Sequence, residues 1–262
     1  MSKTVKKTLI AGAIIACIGL AIVLIIGFTS GWDVANAQWE SETYSTEVGE
    51  QISNVDLDLP AGSIQIEFYE GETIKVDYSQ SKQVTTQFNV TNQTLKISST
   101  IKWHVQVLWF NRMPTTKMYI PQDMQVGLKL RVQAGTVTIG EGTYNDVDVE
   151  MDAGTISMKQ ITCNNFVLSM DAGTMNVNQI QCDTFKAEIN AGTLKVTNLK
   201  CDDIDLDLSA GSAKLGIVGS KADYTIHTDV SAGSCNVKSQ SGGSKRLSVE
   251  VSAGSVKVTF AE

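Results

Sequence analysis

The sequence predicts an all-β fold, a single-stranded parallel β-solenoid of ~19-residue coils with an N-terminal antiparallel β cap, preceded by one transmembrane helix. Three observations support this prediction. A short motif recurs at nearly constant spacing, apolar and polar residues alternate around each copy, and a long apolar run stands near the N-terminus.

The first 32 residues predict a membrane anchor. Lys3, Lys6 and Lys7 are followed by an uncharged run over residues 8–32. At helical rise, about 20 such residues cross the hydrocarbon core of a bilayer. Because the positive cluster precedes the run, we expect residues 1–7 in the cytoplasm and the chain beyond the anchor on the extracytoplasmic side. The cell membrane is thus one expected partner.

A cleaved signal peptide is the alternative, since Ala35-Asn36-Ala37 has the small-x-small pattern that a signal peptidase recognises. The apolar run is longer than the roughly 7 to 15 residues usual for such a signal. Ala37 also lies nine residues beyond Phe28, where the apolar stretch ends. Both features favour an uncleaved anchor, and in either case the bulk of the chain is exported.

The charge of the exported part argues against a nucleic-acid partner. The sequence has 21 basic and 28 acidic residues, a formal charge of −7. Without the three lysines of residues 1–32, a segment with no acid, 18 basic residues remain against 28 acidic ones, a formal charge of −10. Such a surface repels phosphate backbones and anionic lipid headgroups.

Residues 33–54 are interpreted as a linker and the start of the ectodomain, and residues 55–127 as a first coil with its β cap. Segments such as "TIKVDY" and "TLKIS" alternate apolar and polar residues, which predicts antiparallel strands. A hairpin is expected around Thr91-Asn92-Gln93. A cap of this kind covers the otherwise open end of a solenoid.

An aromatic insertion interrupts the cap. Trp103, Trp109 and Phe110 bring three aromatic side chains into eight positions. They fit the core of the cap or, alternatively, an exposed surface for recognition or membrane contact. We treat these three residues as a possible binding surface.

Residues 128–262 hold the array of repeats. Ala-Gly followed by Ser or Thr begins at Ala61, Ala134, Ala153, Ala172, Ala191, Ala210, Ala232 and Ala253. From Ala134 onward the spacings are 19, 19, 19, 19, 22 and 21 residues. One coil cannot fold alone, because burial of an apolar side chain stabilises by ~1.5–3 kcal/mol whereas ordering costs ~1–2 kcal/mol for every residue. Stacked coils share their core and hydrogen bonds.

Alternating apolar residues on both sides of each Ala-Gly predict two or three very short strands per coil. The first apolar position of each unit forms a column that includes Val147, Phe166, Phe185 and Ile204. We expect these side chains in single file, with coils stacked in chain order about 4.8 Å apart. The last coil has no evident cap and is expected to expose an edge.

The Ala-Gly pair is predicted to form the corner of each coil. A small side chain fits a crowded turn there, and glycine takes positive φ without penalty. The structural corner of the central units comprises Ala134, Gly135, Ala153, Gly154, Ala172, Gly173, Ala191, Gly192, Ala210 and Gly211. The hydroxyl that follows each pair is expected to satisfy backbone groups at the corner.

Three cysteines recur at the same place in successive repeats. Cys163, Cys182 and Cys201 are spaced by 19 residues, and Cys235 occupies another apolar column. Buried free cysteine behaves as a small hydrophobe, so core packing is the expected role. A soft-metal site or a redox pair is the alternative. Metal binding is disfavoured because no histidine shares the spacing and no Cys-x-x-Cys occurs.

The segment "TKMYIP" followed by "LKLRVQAGTVTI", and the serial units around Ala-Gly-Thr, resemble the bacterial putative-adhesin domain of the DUF4097 type over about residues 40 to 262. The resemblance implies a β-solenoid on an exported or membrane-anchored protein. It further implies a surface or envelope role, as adhesion or as an accessory to envelope-stress signalling. It implies no catalytic residues.

The remaining motifs predict a binding protein rather than an enzyme. His104 and His227 stand in different elements, and the sequence has no zinc-protease, nucleophile-elbow or phosphate-loop pattern. The alternative is a polysaccharide lyase or hydrolase of the cell surface, with Asp152 and Asp171 as acids on neighbouring coils. The next copies, Asn190 and Ser209, do not continue that pair. We expect no cofactor and no metal, and an unknown protein or glycan partner.

Overall fold

The computed structural model describes residues 42–49, 51–80, 84–101 and 114–261 and consists of long β-strands. The strands are β1 (Glu42–Val48), β2 (Asn54–Tyr69), β3 (Ile74–Gln80), β4 (Val84–Thr91), β5 (Thr94–Ile101), β6 (Thr115–Pro121), β7 (Val126–Ile139), β8 (Gly142–Thr162), β9 (Asn165–Gln181), β10 (Thr184–Lys200), β11 (Asp203–Val218), β12 (Tyr224–Cys235) and β13 (Lys245–Ala261). A 3-10 turn, Lys221–Asp223, precedes β12.

No helix within these ranges has the length and apolar character needed to span a bilayer. The predicted tail, residues 1–7, and the predicted anchor, residues 8–32, lie outside the described residues, as does the cleavage motif at Ala37.

The central coils are parallel and in register, as the repeat predicts. Val147 pairs with Phe166, Phe166 with Phe185, and Phe185 with Ile204. All four side chains are at most 1% exposed. The expected single file of apolar residues is therefore confirmed, and it forms part of one continuous core.

Each coil is one bent strand, and the prediction of two or three very short strands is wrong. β8 runs for 21 residues through its corner. Backbone pairing continues on both sides of the bend, since Ala191 pairs with Ala210 and Gly192 with Gly211. Hydrogen bonds to neighbouring coils hold the backbone extended where the sequence alone suggests a break.

Glycine, and not alanine, occupies the crowded position of the corner. Gly135 has φ +152°, and a Cβ placed there would lie 2.0 Å from the carbonyl oxygen of Gly62 in the neighbouring strand. By contrast, Ala153, Ala172 and Ala191 are exposed. The expected role of glycine is confirmed, whereas the expectation of a crowded alanine is wrong because its methyl group faces solvent.

The predicted antiparallel cap is present at the N-terminal end. β2 pairs along one side with β7, and on the other side with β5 over Asn54–Asp58 and with β6 over Ser63–Tyr69. β4 then pairs antiparallel with β5, β3 with β6, and β1 with β3. β1 lies within residues 33–54, the segment interpreted as a linker.

The hairpin predicted around Thr91-Asn92-Gln93 is confirmed. β4 and β5 are joined by Asn92 and Gln93, with φ +51° and +58°. Positive φ at both central residues is typical of the type I′ turn that fits the twist of two-residue hairpins.

The last two strands depart from stacking in chain order, so that part of the prediction is wrong. β13 lies between β11 and β12. The reason is visible in the apolar pattern. β13 has buried residues in both arms, whereas β12 ends at Cys235, and its Val230 is 37% exposed. A strand with two apolar arms is stabilised by a neighbour on each side, and the shorter strand takes the edge.

A chain segment covers part of the outer edge of β12, contrary to the expected uncapped end. Gln240 exchanges two backbone hydrogen bonds with Ile226, each 2.9 Å long. The Ser239 hydroxyl accepts from the Thr228 N–H at 3.0 Å. The side-chain amide of Asn236 makes two hydrogen bonds to the backbone of Val258, as a neighbouring strand would. It donates to the Val258 carbonyl oxygen and accepts from the Val258 N–H, both at 2.7 Å. Residues 236–240 therefore reduce the number of free edge groups.

Candidate functional site

The predicted binding surface, Trp103, Trp109 and Phe110, lies outside the described residues. The predicted corner residues, from Ala134 to Gly211, line the bend of the coils and have a structural role. The surface formed by the described strands offers a further candidate site.

A groove of about 520 Å³ lies where the cap meets the first coils. We call it the cap groove. It is lined by Gln65, Ile66, Glu67, Phe68, Gln122, Thr138, Gly140, Glu141 and Lys159. Such a volume lies in the range of small-molecule sites, about 300–1,000 Å³.

Strand alternation directs polar side chains into the cap groove. Gln65 and Glu67 flank Ile66, which is fully buried, so both point away from the core of β2. Thr138 of β7 pairs with Gln65 and shares its face. Lys159 lies at the corresponding end of β8 and is exposed. Four outward positions of three adjacent strands thus converge on one surface.

The polar groups of the groove are partly ordered before any ligand binds. The Gln65 amide donates to a Glu67 carboxylate oxygen at 2.6 Å. The Gly140 N–H donates to the Ile66 carbonyl at 2.8 Å, which fixes the corner beside the groove. A side chain held by a hydrogen bond loses less conformational freedom on binding, which favours affinity.

Phe68 forms the apolar wall of the groove. Its half-buried ring meets the ring of Tyr144 edge to face, with centroids 5.4 Å apart. A Cβ on Gly142 would lie 1.9 Å from the Phe68 ring, so a larger residue at this position would require the ring to move. The edge-to-face contact with Tyr144 holds the Phe68 ring, and part of the ring surface stays available to a ligand.

A second pocket, of about 320 Å³, lies on the other arm of the coils, and Lys129, Asp148 and Asp56 of its lining belong to ion pairs. Lys129 contacts Asp148 at 2.8 Å, and Arg131 contacts Asp56 at 3.0 Å. Because each cation already faces a carboxylate, a charged ligand would have to displace an existing partner. We therefore regard the cap groove as the better candidate.

The acids considered for catalysis are exposed and have ordinary surroundings. Asp152 and Asp171 are both solvent-exposed, and Asp171 accepts a hydrogen bond from the Asn190 amide at 2.6 Å. In the ranges that the structure describes, no group of three or more His, Cys, Asp or Glu side chains could hold a metal ion.

Sequence reasoning missed the cap groove. Its residues come from β2, β7, β8 and two connecting segments, so no spacing in the sequence brings them together. Only a weak indication of this groove was present in the sequence. Gln65, Glu67 and Thr138 occupy polar positions of the alternating pattern, on either side of the long interval that separates the first Ala-Gly motif from the second.

The Toastrack family DUF4097 matches residues 52–262. No curated protein matches the chain. A "putative adhesin" of Bacteroides fragilis is similar in structure at 12% identity and a TM-score of 0.42, covering 83% of this chain and 97% of that one.

Two further solved structures are similar at low identity. A "putative cell adhesion protein" of Clostridium sporogenes has 11% identity and a TM-score of 0.32, covering 85% of this chain and all of that one. A "putative adhesin" of Parabacteroides merdae has 11% identity and a TM-score of 0.36, covering 86% and 97%. Because the Toastrack match extends over most of the sequence, the chain belongs to the DUF4097 family.

Proposed function

We propose that the protein is a membrane-anchored, extracytoplasmic, adhesin-like protein that binds an envelope glycan in its cap groove and does not act as an enzyme. The observation that carries the proposal is the composition of this groove. Amide, carboxylate, hydroxyl and ammonium groups surround the exposed part of the Phe68 ring.

This composition suits a ligand rich in hydroxyl groups. The Gln65 and Gln122 amides can both donate and accept, and the Glu67 and Glu141 carboxylates accept from hydroxyl groups. The ring of Phe68 offers an apolar surface for the C–H face of a sugar. The groove also lies open at the surface, which suits a segment of a longer polymer better than an enclosed metabolite.

The proposal of a non-enzymatic role is supported by the same side chains. Glu67 is exposed and hydrogen-bonded to Gln65, so its surroundings do not resemble the apolar pocket that tunes a general acid. Lys159 is likewise exposed. A lyase or hydrolase would need an acid and a base held against the scissile bond, which this arrangement does not favour.

The double substitution Glu67→Ala with Lys159→Ala is expected to weaken polysaccharide binding at least tenfold, which corresponds to about 1.4 kcal/mol. The full-length chain in detergent would be titrated with purified envelope polysaccharides in a calorimeter. A matched control, Lys214→Ala with Glu250→Ala, removes the same charges from exposed positions of distant coils and should leave affinity unchanged. Equal affinity of both double variants and wild type would contradict a site in the groove.

The same titration distinguishes binding from catalysis. The polysaccharide recovered from wild-type protein should keep its chain length. Shortened chains, together with loss of cleavage in Glu67→Gln, would support the lyase or hydrolase instead. Failure of every polysaccharide to bind, with capture of a single envelope protein, would favour a protein partner.

The extracytoplasmic location is tested by labelling. A membrane-impermeant amine reagent applied to whole cells, or to spheroplasts where an outer membrane is present, should label exposed lysines such as Lys195 and Lys257. A cytoplasmic protein in the same cells serves as the control and should remain unlabelled. Labelling of these lysines only after lysis would place the domain inside the cell and would contradict the proposed extracytoplasmic location.

A further inference from the structure

Three buried thiols lie in a file at the turns from each coil into the next. Cys163, Cys182 and Cys201 are free and 7%, 7% and 2% exposed. The backbone holds them in register, because the Cys163 N–H donates to Gln181 O and the Cys182 N–H to Lys200 O, both at 3.0 Å. The predicted packing of this column into the core is confirmed, yet the column also brings reactive atoms together.

The thiols contact one another. The Cys182 thiol donates to the Cys201 sulfur at 3.5 Å. Hydrogen bonding with Cys163 on one side and Cys201 on the other, followed by burial, raises the pKa of the Cys182 thiol. Tyr224 lies beside this column of cysteines, and its hydroxyl donates a hydrogen bond to the Cys201 carbonyl oxygen at 2.6 Å.

The arrangement fits a covalent bond between two thiols better than a metal site. Neighbouring strands lie about 4.8 Å apart, within the ~4.4–6.8 Å that separate the Cα atoms of disulfide-bonded cysteines. A soft metal needs ligands that converge on one point, whereas sulfur atoms in a file point the same way. Cys163 and Cys201 are two coils apart, at about twice the strand spacing, which is too far for a direct bond.

We propose that Cys182 and Cys201 form a reversible disulfide that cross-links neighbouring coils, and that Cys163 is the third thiol to which the bond can move. The two thiols lose two protons and two electrons, which reduce one low-molecular-weight disulfide to two thiols. Attack of the Cys163 thiolate on the Cys182 sulfur then forms the second possible bond and releases Cys201 as a thiolate. This site is independent of the cap groove and of its ligand.

The test uses the full-length chain with Cys17→Ser and Cys235→Ser, folded and incubated with glutathione disulfide. Intact mass should fall by two hydrogen atoms per molecule. Trypsin should leave peptides 160–186 and 201–214 joined, until a reductant is added, in the molecules that hold the Cys182–Cys201 bond, whereas a bond that has moved to Cys163 lies within peptide 160–186. The midpoint of thermal unfolding should rise with the cross-link and return on reduction. Three free thiols after long incubation of the folded protein would overturn the proposal, and so would a bond that joins two molecules.

Two single variants in the same background locate the bond. Cys163→Ser should keep peptides 160–186 and 201–214 joined, because Cys182 and Cys201 are both retained. Cys182→Ser should leave them separate, since the remaining two sulfurs are two coils apart. A linkage that persists in Cys182→Ser would contradict the stacked geometry, and one lost in Cys163→Ser would exclude Cys182 and Cys201 as the bonded pair.

Discussion

Gly154→Ala is expected to destabilise the protein by roughly 3–5 kcal/mol, a loss that only a few kinds of substitution produce. The added Cβ would lie 2.1 Å from the Gly135 carbonyl oxygen, a backbone atom of the neighbouring coil. The residue also has φ +136°, a conformation that costs alanine ~1–3 kcal/mol even in open space. Because Gly135 and Gly154 pair in register, relief of the contact requires the coils to separate at this corner. Urea unfolding followed by circular dichroism measures the loss.

Two controls separate the crowding from the backbone conformation. Gly242 has φ +113° with nothing within 4 Å of an added Cβ, so Gly242→Ala is expected to lose only the conformational part, ~1–3 kcal/mol. Ala153→Ser adds an atom to the exposed neighbour of Gly154 and should change stability by less than about 0.5 kcal/mol. Equal losses for Gly154→Ala and Gly242→Ala would show that close approach of the coils is not what requires glycine.

Phe185→Ala is expected to cost ~3–5 kcal/mol, the usual range for a buried phenylalanine. Its ring is fully buried and stacks on Phe166 with centroids 5.6 Å apart and an angle of 14° between the ring planes. The cavity lies in the middle of the array, where each coil is stabilised by the coils on both sides. Hydrogen exchange of β9 and β10 amides should therefore accelerate more than that of the cap.

The double variant Phe166→Ala with Phe185→Ala tests whether the rings interact directly. We expect a coupling energy of about 0.5–1.5 kcal/mol between them, the range for aromatic pairs. Phe260→Ala, at a half-buried position near the C-terminal end, is the matched control and should cost less than Phe185→Ala. Strictly additive losses at positions 166 and 185 would contradict a direct interaction between the two rings.

Much of the core was predictable from local pattern. The column of Val147, Phe166, Phe185 and Ile204 followed from a 19-residue period combined with alternation of apolar residues. The Asn92-Gln93 hairpin followed from turn residues between two alternating segments. These features depend on side-chain direction along one strand, which the backbone imposes wherever the strand is placed.

Other features could not be predicted because they depend on which strands become neighbours. The first apolar positions, Ile226 and Leu247, fit the same column, so this column does not reveal that β13 lies between β11 and β12. The cap groove is equally non-local, because Glu67, Thr138 and Lys159 are brought together only by pairing of β2, β7 and β8.

The sequence by itself determined the period of the coils, the side chains that face the core and the position of each corner, because all three are local properties of an alternating chain. Only the tertiary structure decided the order of the last strands, the crowded glycine of the corner and the groove beside the cap. Strand hydrogen bonds join backbone groups without regard to side chain, so neighbours are selected by the fit of whole apolar faces. Which strands become neighbours is therefore decided only when the coils stack.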